Sequence, residues 1–540
     1  MITLQRLRGV LAVGAVLAVP FLLRTSDDLL DPTGEPLVIV TPHNEPIRYE
    51  FSRAFREHER AAHGRNVRID WRVPGGSNEI TRFLSSEYAA SFENLWRHQI
   101  GKPWTARVAA AFANPAVAAG DQGPDPDNEK LARRTFLASE VSSGLDLWFG
   151  SGSFEFAQHA AAGRLVDSGI VRDHPEIFND DVVPAALGGE AYWDREGRWF
   201  GTCLAGFGIC YNRDALARIG LPTPPSQFAD LTESVYFGEL ALADPSKTGS
   251  VAKTFEMIVQ QQMNERWIAL ASEGKSERER EERAPREGWD RAMRLIRRMG
   301  ANARYFTDQA SRILLDVASG DAAAGLCIDF YGRFQSEAGG AVGRTRLGFV
   351  MPVGGSSVGA DSIGLLRGAP HRALARDFME FVLSLEGQKL WNFKVGTPGG
   401  PTRYALRRLP IRPELYEKAY APLRSDPEEL PYEKARAFTY RAAWTAPIFR
   451  ALSFVIRAMC VDTEEDLKDA YRALLARRFP ARATALFDDV SDVDFAAVTG
   501  SIRSALASPD PRVEARLAND LVTRLRARYR RVVELSREGS

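Results

Sequence analysis

From Pro36 onward the apolar positions recur in one order: a short apolar run, a turn of Gly, Ser, Pro or Asn, then apolar residues at helical spacing. Pro36-Leu-Val-Ile-Val-Thr41 is a β-branched run that predicts a buried first strand, closed by Pro42-His43-Asn44-Glu45-Pro46. Ile47, Phe51, Phe55 and Glu59 then fall on one helical face, with a stop at Gly64. Asn66 to Val73 alternates as a second strand, and Pro74-Gly-Gly-Ser-Asn78 leads into a helix from Glu79. This βαβα order predicts a parallel sheet. Gly144 to Gly150 gives another strand, followed by Ser151-Gly-Ser153 at a helix start. Farther on, Leu240 and Leu242 alternate with Ala241 and Ala243 as a short buried strand. Asp244 to Gly249 makes a tight turn, and Ser250 is expected to cap a helix that runs through Gln262. Val358 to Leu366 predicts a strand and His371 to Gln388 a helix.

Three stretches depart from this order. Residues from about 96 to 135, with Pro103, Pro115, Pro124 and Pro126 around an Ala-rich piece, predict a partly helical insertion. Ser272 to Gly288, dense in Glu and Arg, predicts a solvated loop. From about Pro413 the chain turns helical and basic, and its amphipathic spacing predicts a helical part packed on the first lobe. At the other end, Arg6 and Arg8 precede an apolar run from Gly9 to Leu23, the pattern of a secretory signal. That run is shorter than the roughly 20 residues that span a bilayer, so residues 1–24 are expected to be a signal peptide or signal anchor on an exported chain.

Composition adds limits. With 540 residues, 45% hydrophobic, the chain can bury a large core and form more than one domain. Lys+Arg and Asp+Glu both number 70, so net charge points to neither nucleic acid nor an acidic partner. Cys203, Cys210, Cys327 and Cys460 lack metal-ligand spacing; Cys203 and Cys210 would meet only if the segment between them folds back as a hairpin. Walker, dinucleotide-fingerprint, His-Glu-x-x-His and Cys-x-x-Cys patterns are missing. The one Gly-x-Ser-x-Gly match, Gly355 to Gly359, leads into a strand rather than into a helix. No catalytic residue is therefore expected, and binding is favoured over turnover.

Polar residues instead gather where parallel strands would end and helices begin, the crevice in which α/β proteins hold ligands. Thr41, His43, Asn44 and Glu45 follow the first strand, Ser77 and Asn78 the second, and Ser151 and Ser153 the third. Ser246, Thr248, Gly249 and Ser250, then Asp329 and Tyr331, then Asp361 and Ser362 lie on the remaining edges. Each alone reads as a turn or cap; six sets at corresponding positions predict one shared cleft.

Gly206-Phe-Gly-Ile-Cys-Tyr-Asn-Arg-Asp-Ala-Leu-Ala-Arg-Ile-Gly-Leu-Pro222, the 237–262 stretch, and Gly320-Asp-Ala-Ala-Ala-Gly-Leu-Cys-Ile-Asp-Phe-Tyr-Gly-Arg333, in that order and spacing, resemble the extracellular solute-binding proteins of bacterial ABC importers, closest to the ferric-iron-binding branch. The resemblance implies a two-lobed α/β fold of the type 2 periplasmic binding proteins. Lobe 1 would span 37–211 and lobe 2 212–345, with a return to lobe 1 over 346–410; the helical C-terminal extension over 411–540 is longer than the resemblance accounts for. It implies a periplasmic or extracytoplasmic monomer without a cofactor that captures a small ligand and hands it to a membrane permease. Ferric members use a His, a carboxylate and two adjacent tyrosines. Here His43, Glu45, Asp329 and Tyr331 would be the metal ligands, but the tyrosine pair reads Phe330-Tyr331. The other ligand class is a small oxyanion or organic anion held by Ser77, Ser151, Ser246, Thr248 and Ser250. A sensory protein docking on a membrane receptor, or an enzyme on the same fold, are the rival classes.

Overall fold

In the computed structural model, which describes residues 34–118, 128–330, 332–333, 346–508 and 510–538, the apolar runs form two separate sheets. The expected signal segment and Tyr331 lie outside the described residues. The strands are β1 (Glu35–Val40), β2 (Val67–Arg72), β3 (Leu147–Gly152), β4 (Ala186–Leu187), β5 (Glu190–Ala191), β6 (Trp199–Ala205) and β7 (Phe207–Asn212). They continue with β8 (Leu240–Ala243), β9 (Ala303–Thr307), β10 (Ala324–Ile328), β11 (Leu347–Val350), β12 (Gly359–Leu365) and β13 (Leu409–Pro410). The helices that matter here are α1 (Glu45–His63), α2 (Ser77–His98), α3 (Ser153–Ala162), α4 (Gly249–Ser272), α5 (Glu277–Asn302) and α6 (Ala310–Ser319). In the tail, α7 (Phe449–Ile456), α8 (Glu464–Ala476) and α9 (Pro511–Glu538) follow.

The first sheet runs β13-β6-β12-β3-β1-β2, with β2, β1 and β3 parallel and β12 and β6 antiparallel. The second runs β11-β7-β10-β8-β9, with β9, β8 and β10 parallel. Strands covered on both faces read as continuous apolar runs, and β6, β7 and β8 are buried along their whole lengths. In each lobe the parallel strands point their C-terminal ends, and the helices that follow them, toward the space between the sheets.

The chain passes between lobes at Gly206, between β6 of the first sheet and β7 of the second. A Cβ at Gly206 would sit 2.5 Å from Met351 Sδ on the returning segment, so a larger residue here would require the Met351 side chain to move. The crossing precedes the expected Tyr211 because Ile209 and Tyr211 already pack in the second core. Cys203 and Cys210 therefore lie in different sheets, each free and buried, and the hairpin that would join them does not form.

Two expectations are corrected. The charged run Ser272–Gly288 is mostly helix: Ser276 accepts from the Glu279 N–H at 3.3 Å while Glu279 accepts from the Ser276 N–H at 2.9 Å, a capping box that starts α5. Its Glu and Arg residues pair along the helix, as Arg283 with Glu287 at 2.7 Å, while Trp289, Met293 and Ile296 face the core. Charge density marked the outer face of an amphipathic helix rather than a loop.

The C-terminal helices pack on the second lobe, not the first. The buried faces of α4 and α5 (Phe255, Met263, Trp289, Ile296) share one core with Leu452, Leu474, Leu525 and Tyr529. The Trp289 indole donates to the Val493 carbonyl at 2.8 Å. Ala442–Val461 is long and apolar enough for a membrane span, but 61% of that window is buried here, as in a core helix. Before reaching this lobe, residues 409–438 line the first lobe, with Leu409, Ile411 and Ala435 in its core.

Candidate functional site

Between the lobes lies a cavity of about 470 Å³, within the size range of small-molecule sites. Five helices of ten or more residues begin at its walls. From the first lobe, α1 starts at Asn44, whose Oδ1 accepts from the Ile47 N–H at 3.3 Å; α2 starts at Gly76 and α3 at Gly152. From the second lobe, α4 starts at Thr248, whose hydroxyl accepts from the Val251 N–H at 3.2 Å, and α6 starts at Gln309. One helix terminus favours an anion by only about 0.3–1 kcal/mol, so convergence rather than any single end gives the site its character. Thr248 caps α4 in place of the expected Ser250, which leaves the Ser250 side chain on the cavity wall.

Of the residues singled out from the sequence, His43, Asn44, Ser77, Asn78, Ser151, Ser153, Thr248, Gly249, Ser250 and Asp361 line the cavity. Thr41 lies behind it, its hydroxyl accepting from the His43 N–H at 3.0 Å. Glu45 is exposed in the first turn of α1, away from the cavity. Asp244 accepts from the Ser246 N–H at 2.8 Å and closes the turn, while the Ser246 hydroxyl lies 3.4 Å from the Arg457 guanidinium. Asp329 is buried against Arg333 at 2.7 Å and does not reach the cavity; Ser362 is buried beneath it. His43, Glu45 and Asp329 thus do not converge. Among the described residues no group of three or more His, Cys, Asp or Glu is placed to hold a metal ion.

Among the described residues, two that line the cavity are buried with polar atoms that lack hydrogen-bond partners. His43 has neither ring nitrogen bonded, its ring set edge-on to Phe149 at 4.6 Å. Burial, then the charges of Arg408 and Arg48, hold this imidazole well below its usual range, so it is neutral at pH 7. Its place depends on Gly150, at φ +96°, where a Cβ would lie 2.7 Å from Nε2. Arg408 is 1% exposed, pairs with Asp361 at 2.5 Å and keeps an unbonded Nε over the Phe330 ring. A buried polar atom without a partner costs about 1–3 kcal/mol, and a ligand atom in this cavity would relieve it.

The strand that carries the third set of polar residues is itself irregular. Ser151 sits at φ +99°, rare for any residue but glycine, and the β3–β12 pairing shifts register opposite it between Asp361 and Ile363. Its Oγ accepts from the Ser77 hydroxyl at 2.9 Å, joining the α2 and α3 starts.

Sequence reasoning missed the floor of the cavity. Lys253 on α4 bridges Glu190 of the first lobe at 3.3 Å and Glu256 of its own helix at 2.9 Å. Its ammonium lies 3.8 Å above the Tyr440 ring, and the Tyr440 hydroxyl donates to Glu256 at 2.8 Å. Lys253 and Glu256 sit within a helix and Tyr440 in the tail, where no turn signature marks them, and Glu190 opens the short strand β5. Six lining residues are Asp or Glu, but Glu190 and Glu256 share Lys253, Asp361 holds Arg408, and Glu79 accepts from the Gly76 N–H at 3.1 Å. Asp308 and Glu155 remain; burial pushes the Glu155 carboxyl up to about 7, with Asp361 and Glu256 adding to the rise and Lys253 opposing it.

Residues 144–408 match the bacterial extracellular solute-binding protein family. A curated relative, an uncharacterised protein of Haemophilus influenzae, is 24% identical over 245 residues, 45% of this chain and 60% of that protein, so the chain spans less than two thirds of its length. Among solved structures, iron-bound HitA from Pseudomonas aeruginosa is 14% identical, covering 78% of this chain and 99% of that one at a TM-score of 0.45. Periplasmic binding protein AfuA from Actinobacillus pleuropneumoniae, with fructose-6-phosphate bound, is 17% identical over 66% and 81%, at 0.42. The substrate binding protein of an ABC transporter from Agrobacterium tumefaciens is 14% identical over 78% and 94%, at 0.47. These scores are below 0.5, and the fold rests on the topology traced above: two sheets, each mixed, joined by paired crossings, with a helical C-terminal region added. The central 144–408 segment therefore carries a bacterial extracellular solute-binding protein domain, set within the two-sheet topology traced above.

Proposed function

We propose that this protein is the exported solute-binding component of an ABC import system and that its cargo is a small organic anion, held between the lobes and passed to a membrane permease. One observation carries the reading of the cargo: five helix starts from both lobes open on a single cavity that also holds the unbonded nitrogens of buried His43 and Arg408. The size supports an organic molecule, since about 470 Å³ is far more than a bare ion fills. The family match over residues 144–408 supports the transport role and a periplasmic location, and the basic-then-apolar start of the chain supports export.

The mechanism follows from the division of these groups. Backbone N–H groups of α1, α2 and α3 belong to one lobe and those of α4 and α6 to the other, so an anion engages both sets only when the lobes are closed. Binding then shifts the population toward the closed form by the free energy of the second set of contacts. Closure is what a permease would recognise.

The test is titration calorimetry on the full chain with phosphate monoesters and carboxylates as probes, against S77A/S250A. Neither hydroxyl caps its own helix, so the variant is expected to melt within a few degrees of the wild type while binding the best probe at least tenfold more weakly, about 1.4 kcal/mol. Unchanged affinity in a folded variant would remove the site.

A further inference from the structure

The C-terminal extension does more than cover the second lobe. Phe438 and Tyr440 are buried between the sheets with Ala205, Phe207, Met257 and Ile328, beside the Gly206 crossing. The Tyr440 N–H donates to the Gly188 carbonyl at 2.7 Å, and a Cβ at Gly189 would lie 1.9 Å from the Tyr440 carbonyl oxygen, so here the tail runs directly against a first-lobe turn. Immediately afterwards Gln260 on α4 donates to the Arg441 carbonyl and to the Thr445 hydroxyl, each at 2.8 Å, which fixes the tail to the second lobe. Residues 438–449 therefore cross between the lobes alongside the two crossings at Gly206 and at 351–358.

As it crosses, this segment places Tyr440, Ala446 and Phe449 on the cavity wall. Phe449 opens α7, and its ring meets that of Phe154, in the first turn of α3, at 5.9 Å and 49°. Phe154 is 37% exposed and lines the cavity. A pair of rings beside a helix start, Phe154 exposed and Phe449 half-buried, is poorly matched to an inorganic anion, which would leave the exposed apolar surface in water. A solute with its own ring would cover them and bury apolar surface worth about 25 cal/mol per Å².

Resting on the reading of the cavity as an anion site, we infer that the C-terminal extension forms one wall of that site, and that Phe449 with Phe154 selects an anionic solute carrying an aromatic or apolar ring. The charged end lies at the helix starts and the ring against the Phe154–Phe449 pair. The tail thus sets specificity in addition to stabilising the second lobe.

Calorimetry with phenyl phosphate and adenosine 5′-monophosphate, against glycerol 3-phosphate and inorganic phosphate, separates the possibilities. The wild-type chain is expected to bind the ring-bearing pair at least tenfold more tightly. F449A is expected to lose at least tenfold on that pair and less than twofold on glycerol 3-phosphate. F154A, which alters an exposed side chain, repeats the test from the first lobe if F449A does not fold. Equal binding of ringed and ringless probes by the wild type, or equal effects of F449A and F154A on both classes, would overturn the inference while leaving the anion site standing. Binding of none of the four probes would overturn both.

Discussion

Ser151 shows how much of the site is decided by single residues. At φ +99° it occupies a conformation that costs an L side chain about 1–3 kcal/mol, and it does so while its hydroxyl joins the starts of α2 and α3. At an ordinary position Ala is more stable than Gly by about 0.5–1 kcal/mol. Here the order is expected to reverse: both S151A and S151G lose the Ser77 contact, but only S151G relieves the backbone, so it should exceed S151A by about 1 kcal/mol in urea denaturation. S151A proving the more stable of the two would show that the backbone at this position is unstrained. At this scale the sequence was readable for residues that sit in turns. Ser77, Ser153 and Ser250 announced themselves by following apolar runs, whereas Lys253, Glu256 and Tyr440 are ordinary members of a helix and a tail until the fold sets them on the cavity floor. Asp329 was misleading because its strand-end position says nothing of Arg333, four residues on, which occupies its carboxylate.

Among the elements, α3 carries a titration that can be followed. Glu155 lies in its first turn and faces the cavity with Asp361, Glu256 and Lys253 around it. Its carboxyl, raised chiefly by burial to about 7, binds a proton in the folded state that the unfolded chain, at 4.5, has already released. The cost of ionising it therefore appears between pH 4.5 and about 7, and its contribution to stability falls as pH rises through that window. An anion bound beside it favours the protonated form, so the affinity for phenyl phosphate is expected to rise as pH falls from 8 to 6. E155Q should bind well at pH 8 and show a flattened profile; an E155Q profile parallel to that of the wild type would mean that other groups set the dependence. Element existence was legible where a β-branched or alternating run ended in a turn, as at Val38 to Thr41 and Leu240 to Gly249. The loop expected over 272–288 failed because dense Glu and Arg hid a capping box and a buried stripe of Trp289, Met293 and Ile296. The tail was placed on the wrong lobe because amphipathic spacing shows that a helix has an inner face and not which surface receives it.

For the molecule as a whole, the account is a pair of α/β lobes whose helix starts face each other across a cavity, with a C-terminal helical region tied to one lobe and crossing to the other. The third crossing at 438–449 ties the tail to both lobes, so on the closure proposed above the tail would move with them. Ligand chemistry is the central claim, and native mass spectrometry with elemental analysis, on protein purified from its own envelope without added ligand, tests it most directly. The account predicts a bound organic anion, with a mass that includes a ring, and substoichiometric metal. One equivalent of iron with no organic mass would contradict it and return attention to His43 and the carboxylates around it.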